Sequence, residues 1–232
     1  APSPLRNTLS TPRTPEPVTL VIFGGTGDLA RRKLLPALFR LWQHQLLPES
    51  FAIVGVAREQ FTDETYRELM RSALAEFATA PTPEEWTSFG PRLFFGSEVF
   101  DDEEGFDRLR AQLVQIESGL GLPGNRLFYM AIPPKVVDRV VHQLGEAALV
   151  CRAGCECWTR IVVEKPFGRD LASMRELDEV LHTAFGENDL PGYDLLAQGV
   201  SGLMSVTGEA DGPPLRAATL RRASSITPSP NV

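Results

Sequence analysis

Val18-Thr19-Leu20-Val21-Ile22-Phe23-Gly24-Gly25-Thr26-Gly27-Asp28-Leu29-Ala30 reads as a buried strand, a glycine turn and a helix start in immediate succession. The apolar and β-branched run is too short for a helix, and its lack of clean alternation fits a parallel strand covered on both faces. Gly25-x-Gly27-x-x-Ala30 has the G-x-G-x-x-G/A spacing. Small residues at those places permit a tight turn and let backbone N–H groups approach a pyrophosphate at a helix N-terminus. Asp28 is a candidate N-cap for that helix. A plain strand-to-helix turn is the alternative.

Outward from this turn, the chain has 232 residues, 43% of them hydrophobic, enough for one well-buried domain with appendages. Its 23 basic and 30 acidic residues leave a net charge of −7, which argues against nucleic acid or an anionic membrane as the main partner. The sequence offers neither a membrane-spanning run nor the hydrophobic core of a signal peptide. Cys151, Cys155 and Cys157 are an odd, clustered set. Their spacing lacks the paired CxxC knuckles of structural zinc sites, so no metal is expected. Reduced thiols in a cytoplasmic protein are the expectation. Residues 1–17 carry Pro2, Pro4, Pro12, Pro15 and Pro17 among Ser and Thr and read as a disordered leader.

Leu34, Leu35, Leu38, Leu41 and Trp42 place an apolar stripe on a helix ending near Gln45, with Lys33 one turn in. Phe51-Ala52-Ile53-Val54-Gly55-Val56 is a second strand, and Arg58 stands just past its carboxyl end, where this kind of fold tests the adenosine ribose. A carboxylate there would accept from a free 2′-hydroxyl. A guanidinium clamps a 2′-phosphate instead, which favours NADP over NAD. Thr62 caps a long helix through Phe77, with Phe61 and Tyr66 as a hydrophobic staple and one core face. Pro83 restarts a short helix, and Arg92–Gly96 is a third strand. The acidic run Asp101, Asp102, Glu103 and Glu104 reads as a solvated helix entry rather than a cation site, because consecutive carboxylates scatter around the backbone. Asn125–Ile132 forms a fourth strand ending at Pro133-Pro134, and its Tyr129 is close to the shared crevice. From Arg160 runs a fifth, buried strand that ends in Lys165, fixed between Glu164 and Pro166 and offering a positive charge toward the crevice. Each of these side chains also has a structural reading. Lys33 can lie in solvent, Arg58 can be a loop arginine, Tyr129 can be a core aromatic, and Lys165 can pair with Glu164.

The blocks GGTGDLARRKLLPALFRL, LFYMAIPP and RIVVEKPFGRDL, in that order between about Val18 and Leu181, resemble the N-terminal coenzyme domain of the glucose-6-phosphate dehydrogenases. The resemblance implies an α/β fold, Rossmann-like and doubly wound, with a mostly parallel sheet over residues 18–185. It further implies that Gly24, Gly25, Thr26, Gly27, Asp28, Leu29, Lys33, Arg58, Tyr129 and Lys165 bind NADP, and that Lys165 also binds the sugar phosphate. The implied reaction oxidises glucose 6-phosphate to 6-phosphogluconolactone in the pentose phosphate pathway, reducing NADP. Oligomerisation is left open.

That family's next strand, carrying Arg-Ile-Asp-His-Tyr-Leu-Gly-Lys-Glu, and its large α+β substrate domain with the histidine base are not found in the sequence. The histidines are His44, His142 and His182, none in such a motif, so no catalytic residue is identified. Instead Leu190–Gly208 and Asp211–Arg216, within a tail of residues 186–232, resemble a fragment of the family III CoA transferases. In that family the catalytic aspartate lies just past the Gly-Pro-Pro segment, and no acid follows Pro214 here. Three readings follow: a dehydrogenase completed from elsewhere, an NADP-binding module without turnover, and a CoA-linked protein acting through the tail.

Overall fold

The computed structural model describes residues 15–97, 99, 104–151 and 155–164. Five parallel strands carry the fold: β1 (Val18–Phe23), β2 (Phe51–Val56), β3 (Leu93–Gly96), β4 (Arg126–Met130) and β5 (Thr159–Val163). They lie in the order β3-β2-β1-β4-β5. Val21 pairs with Val54 on one side and Phe128 on the other, so β1 is central. Chain order reverses at β1, which sends successive crossovers to opposite faces and opens a crevice between the carboxyl ends of β1 and β4. The doubly wound expectation is met.

Both faces are covered, which is why β1, β2 and β4 are apolar without alternation. On one face Val21, Phe23, Val54 and Phe128 pack against Leu109 and Leu113 of α4 (Gly105–Leu120) and Val137, Val140 and Val141 of α5 (Pro134–Glu146). On the other, Leu20, Ile22, Ile53, Leu127 and Tyr129 meet Leu35, Leu38 and Phe39 of α1 (Leu35–Gln43). Tyr66, Met70 and Leu74 of α2 (Asp63–Phe77) complete that layer. The Thr62 hydroxyl accepts from the Thr65 N–H, and the Thr65 side chain reciprocates at the Thr62 N–H, closing a capping box. Thr82 and Glu85 build a second box at α3 (Pro83–Phe89). Arg126 of β4 is buried, and its guanidinium holds both carboxylate oxygens of buried Glu117 at 2.8 Å. That bidentate pairing offsets the desolvation of both charges.

Three local readings change. The helix after the glycine turn starts one residue earlier than a cap at Asp28 implies. The Gly27 carbonyl accepts from the Arg31 N–H at 3.1 Å, so Gly27 holds the cap position and Asp28 lies in the first turn. That helix also contains a π-helical turn, Ala30–Leu34, closed by a bond from the Leu35 N–H to the Ala30 carbonyl. Pro36 has no N–H to continue the ordinary ladder, which accounts for the widened turn. The cysteines are not all reduced. Cys151 and Cys157 form a disulfide with their Cα atoms 6.2 Å apart, and the Cys151 N–H donates to the Thr159 hydroxyl of β5. Cys155 remains a free, exposed thiol.

Glu16 and Pro17, assigned by composition to the leader, are tied to the sheet's edge. The Trp158 indole donates to Glu16 at 2.7 Å, and Asn125 Nδ2 donates to the Pro17 carbonyl at 3.1 Å. Residues 1–14 of the leader and everything from Lys165 onward, the tail of residues 186–232 included, lie outside the described residues, as do Asp101, Asp102 and Glu103.

Candidate functional site

Strand β1 delivers its chain directly into the crevice at Gly24, whose φ of +85° is a left-handed conformation that glycine adopts without strain. A side chain there would also collide with the Ala131 carbonyl, which leaves β4 beside it. Gly25 packs against β2 so closely that a Cβ would stand 2.5 Å from the Gly55 Cα. Gly55 in turn has no room for a Cβ because the Tyr66 phenol lies over it. The Tyr66 hydroxyl donates to the Gly25 carbonyl at 3.3 Å, fastening α2 to the turn. Burial pushes the Tyr66 phenol well above its ordinary range, so it stays a neutral donor.

The same turn sorts its backbone donors. Gly24 and Gly25 give their N–H groups to the Val56 carbonyl at 2.8 and 3.1 Å, and Gly27 gives its own to the Gly24 carbonyl at 2.9 Å. The Thr26, Asp28 and Leu29 N–H groups have no backbone partner among the described residues. They sit at the start of a helix, where the dipole favours an anion. Gly27 is exposed, and a Cβ on it would meet only the Gly24 carbonyl at 3.1 Å. The protein's own packing demands glycine at 24 and 25 far more than at 27. The Asp28 carboxylate turns to the Arg32 guanidinium at 3.0 Å. Ala30 is buried, and small size there lets the helix approach the sheet. Leu29 is half-buried against the α1–α2 layer.

The carboxyl end of β2 brings Arg58 and Glu59 to the same edge, both exposed. Thr26 donates through its hydroxyl to Glu59 Oε2 at 3.0 Å, linking the turn after β1 to the turn after β2. Tyr129 of β4 is buried among the α1–α2 layer, and its hydroxyl donates to the Glu164 carboxylate at the end of β5. Lys165, the next residue, lies outside the described residues. Lys33 is exposed on the π-helical turn. The structure therefore gathers the turn, Arg58, Tyr129 and Glu164 at the carboxyl ends of neighbouring strands. A shallow apolar cavity under Pro15, Leu38, Leu47 and Phe51 lies at the opposite, amino end of the sheet.

In the sequence Gly55 reads only as part of a strand, Tyr66 only as a staple and core aromatic, and Glu59 carries no assigned role. The Gly55–Tyr66 contact joins residues of different elements, and only the odd glycine inside an apolar strand hinted at a close approach. For Glu59 the hint was its place beside Arg58.

A family model described as "Glucose-6-phosphate dehydrogenase, NAD binding domain" matches residues 21–192. The chain belongs to the glucose-6-phosphate dehydrogenase family. A glucose-6-phosphate 1-dehydrogenase of Chlamydia pneumoniae is 37% identical over 185 residues, covering 78% of this chain and 36% of the relative. Glucose-6-phosphate 1-dehydrogenase 2 of Mycobacterium bovis is 38% identical, covering 76% and 34%. Among solved structures, a glucose-6-phosphate dehydrogenase in complex with glucose 6-phosphate superposes with a TM-score of 0.62 at 30% identity, over 76% of this chain and 36% of that one. The chain thus spans about a third of the length of these dehydrogenases, and the shared part is the coenzyme domain. A second family model, "CoA-transferase family III", matches residues 179–221, which lie outside the described residues. No helix among the described residues is long and apolar enough to cross a membrane.

Proposed function

We propose that this chain binds NADP in the crevice at the carboxyl ends of β1, β2 and β4, and supplies the coenzyme half of a cytoplasmic glucose-6-phosphate dehydrogenase. The observation that carries this reading is the sorted turn. Its first glycines are consumed by the protein's own packing, while the Thr26, Asp28 and Leu29 N–H groups, without a backbone partner among the described residues, lie at a helix start beside an open Gly27. That arrangement fits a pyrophosphate. Arg58 supports the 2′-phosphate as a bidentate cation at the end of β2, and Lys33 adds positive charge on the turn's helix. NADP, held by these residues, would supply the hydride acceptor for oxidation at the sugar's anomeric carbon.

Around that transfer, the chain's own residues position and polarise. Tyr129 holds the Glu164 carboxylate, which fixes the end of the strand that leads to Lys165, the residue that the family resemblance assigns to the sugar phosphate. We infer a coenzyme domain over residues 18–185, followed by a tail that acts apart from it. Loss of the anomeric hydroxyl proton needs a base. His44 caps α1 at the amino end of the sheet, and exposed His142 pairs with Glu146 on α5, so neither stands at the crevice. This placement favours a second reading for the described part alone: NADP binding without turnover.

Purified chain should bind NADP, and Arg58→Ala should weaken NADP by about tenfold while changing NAD little. Equal loss for both coenzymes would count against the clamp. Formation of NADPH on addition of glucose 6-phosphate separates the two readings: turnover supports the dehydrogenase, and saturable binding without it supports the module.

A further inference from the structure

The two edges of the sheet are finished differently. At β3 the backbone groups of Leu93 and Phe95, which face away from β2, are all taken. The Leu93 N–H bonds to the Gly90 carbonyl, and the Leu93 carbonyl accepts from Arg67 Nε at 2.9 Å. The Phe95 N–H donates to Asp63 Oδ1 at 2.8 Å, and the Phe95 carbonyl accepts from Gln112 Nε2 at 2.9 Å. Side chains from both helix layers thus close that edge against pairing with another strand. The β5 edge has no such finish. The Arg126 N–H donates to the Trp158 carbonyl at 2.9 Å, with Arg126 in register with Thr159, so Arg160 and Val162 turn their backbone groups to β4. Thr159, Ile161 and Val163 turn theirs outward, and none of the described residues supplies those groups with a partner. The strand holds no Pro, Gly or Lys to blunt it, and the Arg160 guanidinium lies over the Trp158 ring, 4.3 Å from its centroid.

We propose that this edge is a self-association surface: β5 pairs antiparallel with β5 of a second copy of the chain, about a two-fold axis at Ile161, and the two sheets become one. A second copy is the partner these residues fit, because they are self-complementary. With Ile161 opposite Ile161 of the second copy, Thr159 falls opposite Val163 and Val163 opposite Thr159. Every outward donor then meets an acceptor, and the cross-strand neighbours are all β-branched. On the other face of the strand Arg160 comes diagonal to Glu164 of the second copy, an opposite charge. Such an isologous contact closes at two chains, and an antiparallel strand at the margin of a parallel sheet is common. β4 stands between β5 and β1, so the pairing leaves the glycine turn clear.

The test is sedimentation velocity on the full chain over a wide range of concentration, with hydrogen exchange read amide by amide at the two extremes. A dimer that forms as concentration rises is expected, and with it slowed exchange at the Thr159, Ile161 and Val163 amides, while those of Arg160 and Val162 are protected throughout. Ile161→Pro removes the central outward N–H without touching the ladder to β4, and should weaken the dimer by about tenfold or more. Ile161→Ala loses the same packing but keeps that N–H, and should dimerise as wild type does. Val163→Pro removes an outward N–H at a half-buried position and carries the test if Ile161→Pro does not fold. A chain that stays monomeric at every concentration would overturn the proposal. So would a dimer that Val163→Pro leaves unchanged, since it would form through another surface. Protection of the three outward amides that does not depend on concentration would overturn it too, because a strand of the same chain would then cover the edge.

Discussion

The glycines at 24 and 25 are fixed by collisions rather than by a ligand: one with the Ala131 carbonyl, the other with the Gly55 backbone. Their role as a tight turn was legible from spacing, because small residues between an apolar run and a helix have few other uses. The partners that make them obligatory were not, since Ala131 and Gly55 come from other strands and only the folded register brings them near. Asp28 shows the same limit at short range. Its type suits a cap, but backbone geometry gave that place to Gly27, and the carboxylate found Arg32 instead. Tyr66 was readable as core and not as a fastener, because nothing local says where its hydroxyl ends. Tyr66→Phe leaves the Gly25 carbonyl without that donor, which should cost about 1 kcal/mol of stability. It should also weaken NADPH binding through a looser turn. Denaturant melts and a coenzyme titration on the same samples check both, and an unchanged midpoint would mean the bond holds nothing.

At the scale of elements, β1 and β2 match their apolar runs residue for residue, and α2 begins where the Thr62 cap predicts. Burial on both faces writes itself into composition. The π-helical turn did not, because Pro36 is compatible with an ordinary helix start and the strain-free outcome depends on where the preceding turn begins. Nor did the Cys151–Cys157 disulfide, because cysteine spacing does not report which two Cα atoms the fold brings within bridging distance. The second capping box carries a pH signature. Glu85 is held below its ordinary carboxyl range by the Gln43 amide first and by the Thr82 N–H next. A group lowered in the folded state stabilises above its unfolded value and loses that contribution as pH falls through the folded one. Glu85→Ala should therefore lower Tm at neutral pH, and the gap should narrow below about pH 4.3 as wild-type Glu85 protonates. Thermal melts from neutral pH to about pH 2 read it. A gap constant across that range would show that the ionised carboxylate contributes nothing.

For the whole molecule, strand order is invisible to periodicity, which reports faces and never neighbours. Likeness to a known family implied a doubly wound sheet but no strand order; the order β3-β2-β1-β4-β5 is seen only in the structure, and it is what places Gly24, Arg58, Tyr129 and Glu164 along one edge. The central claim is that this edge holds a dinucleotide through backbone donors that have no backbone partner among the described residues. Gly27 tests it most directly, since a Cβ there meets only the Gly24 carbonyl while standing where the pyrophosphate approaches. The measurement is an NADPH titration of wild type and Gly27→Ala, each with its Tm. Saturable wild-type binding, weakened by tenfold or more in a variant whose Tm moves by no more than about 2 °C, is the predicted result. Equal affinity for NADPH in the two proteins would contradict it, and the dinucleotide would then have to lie somewhere other than over this turn.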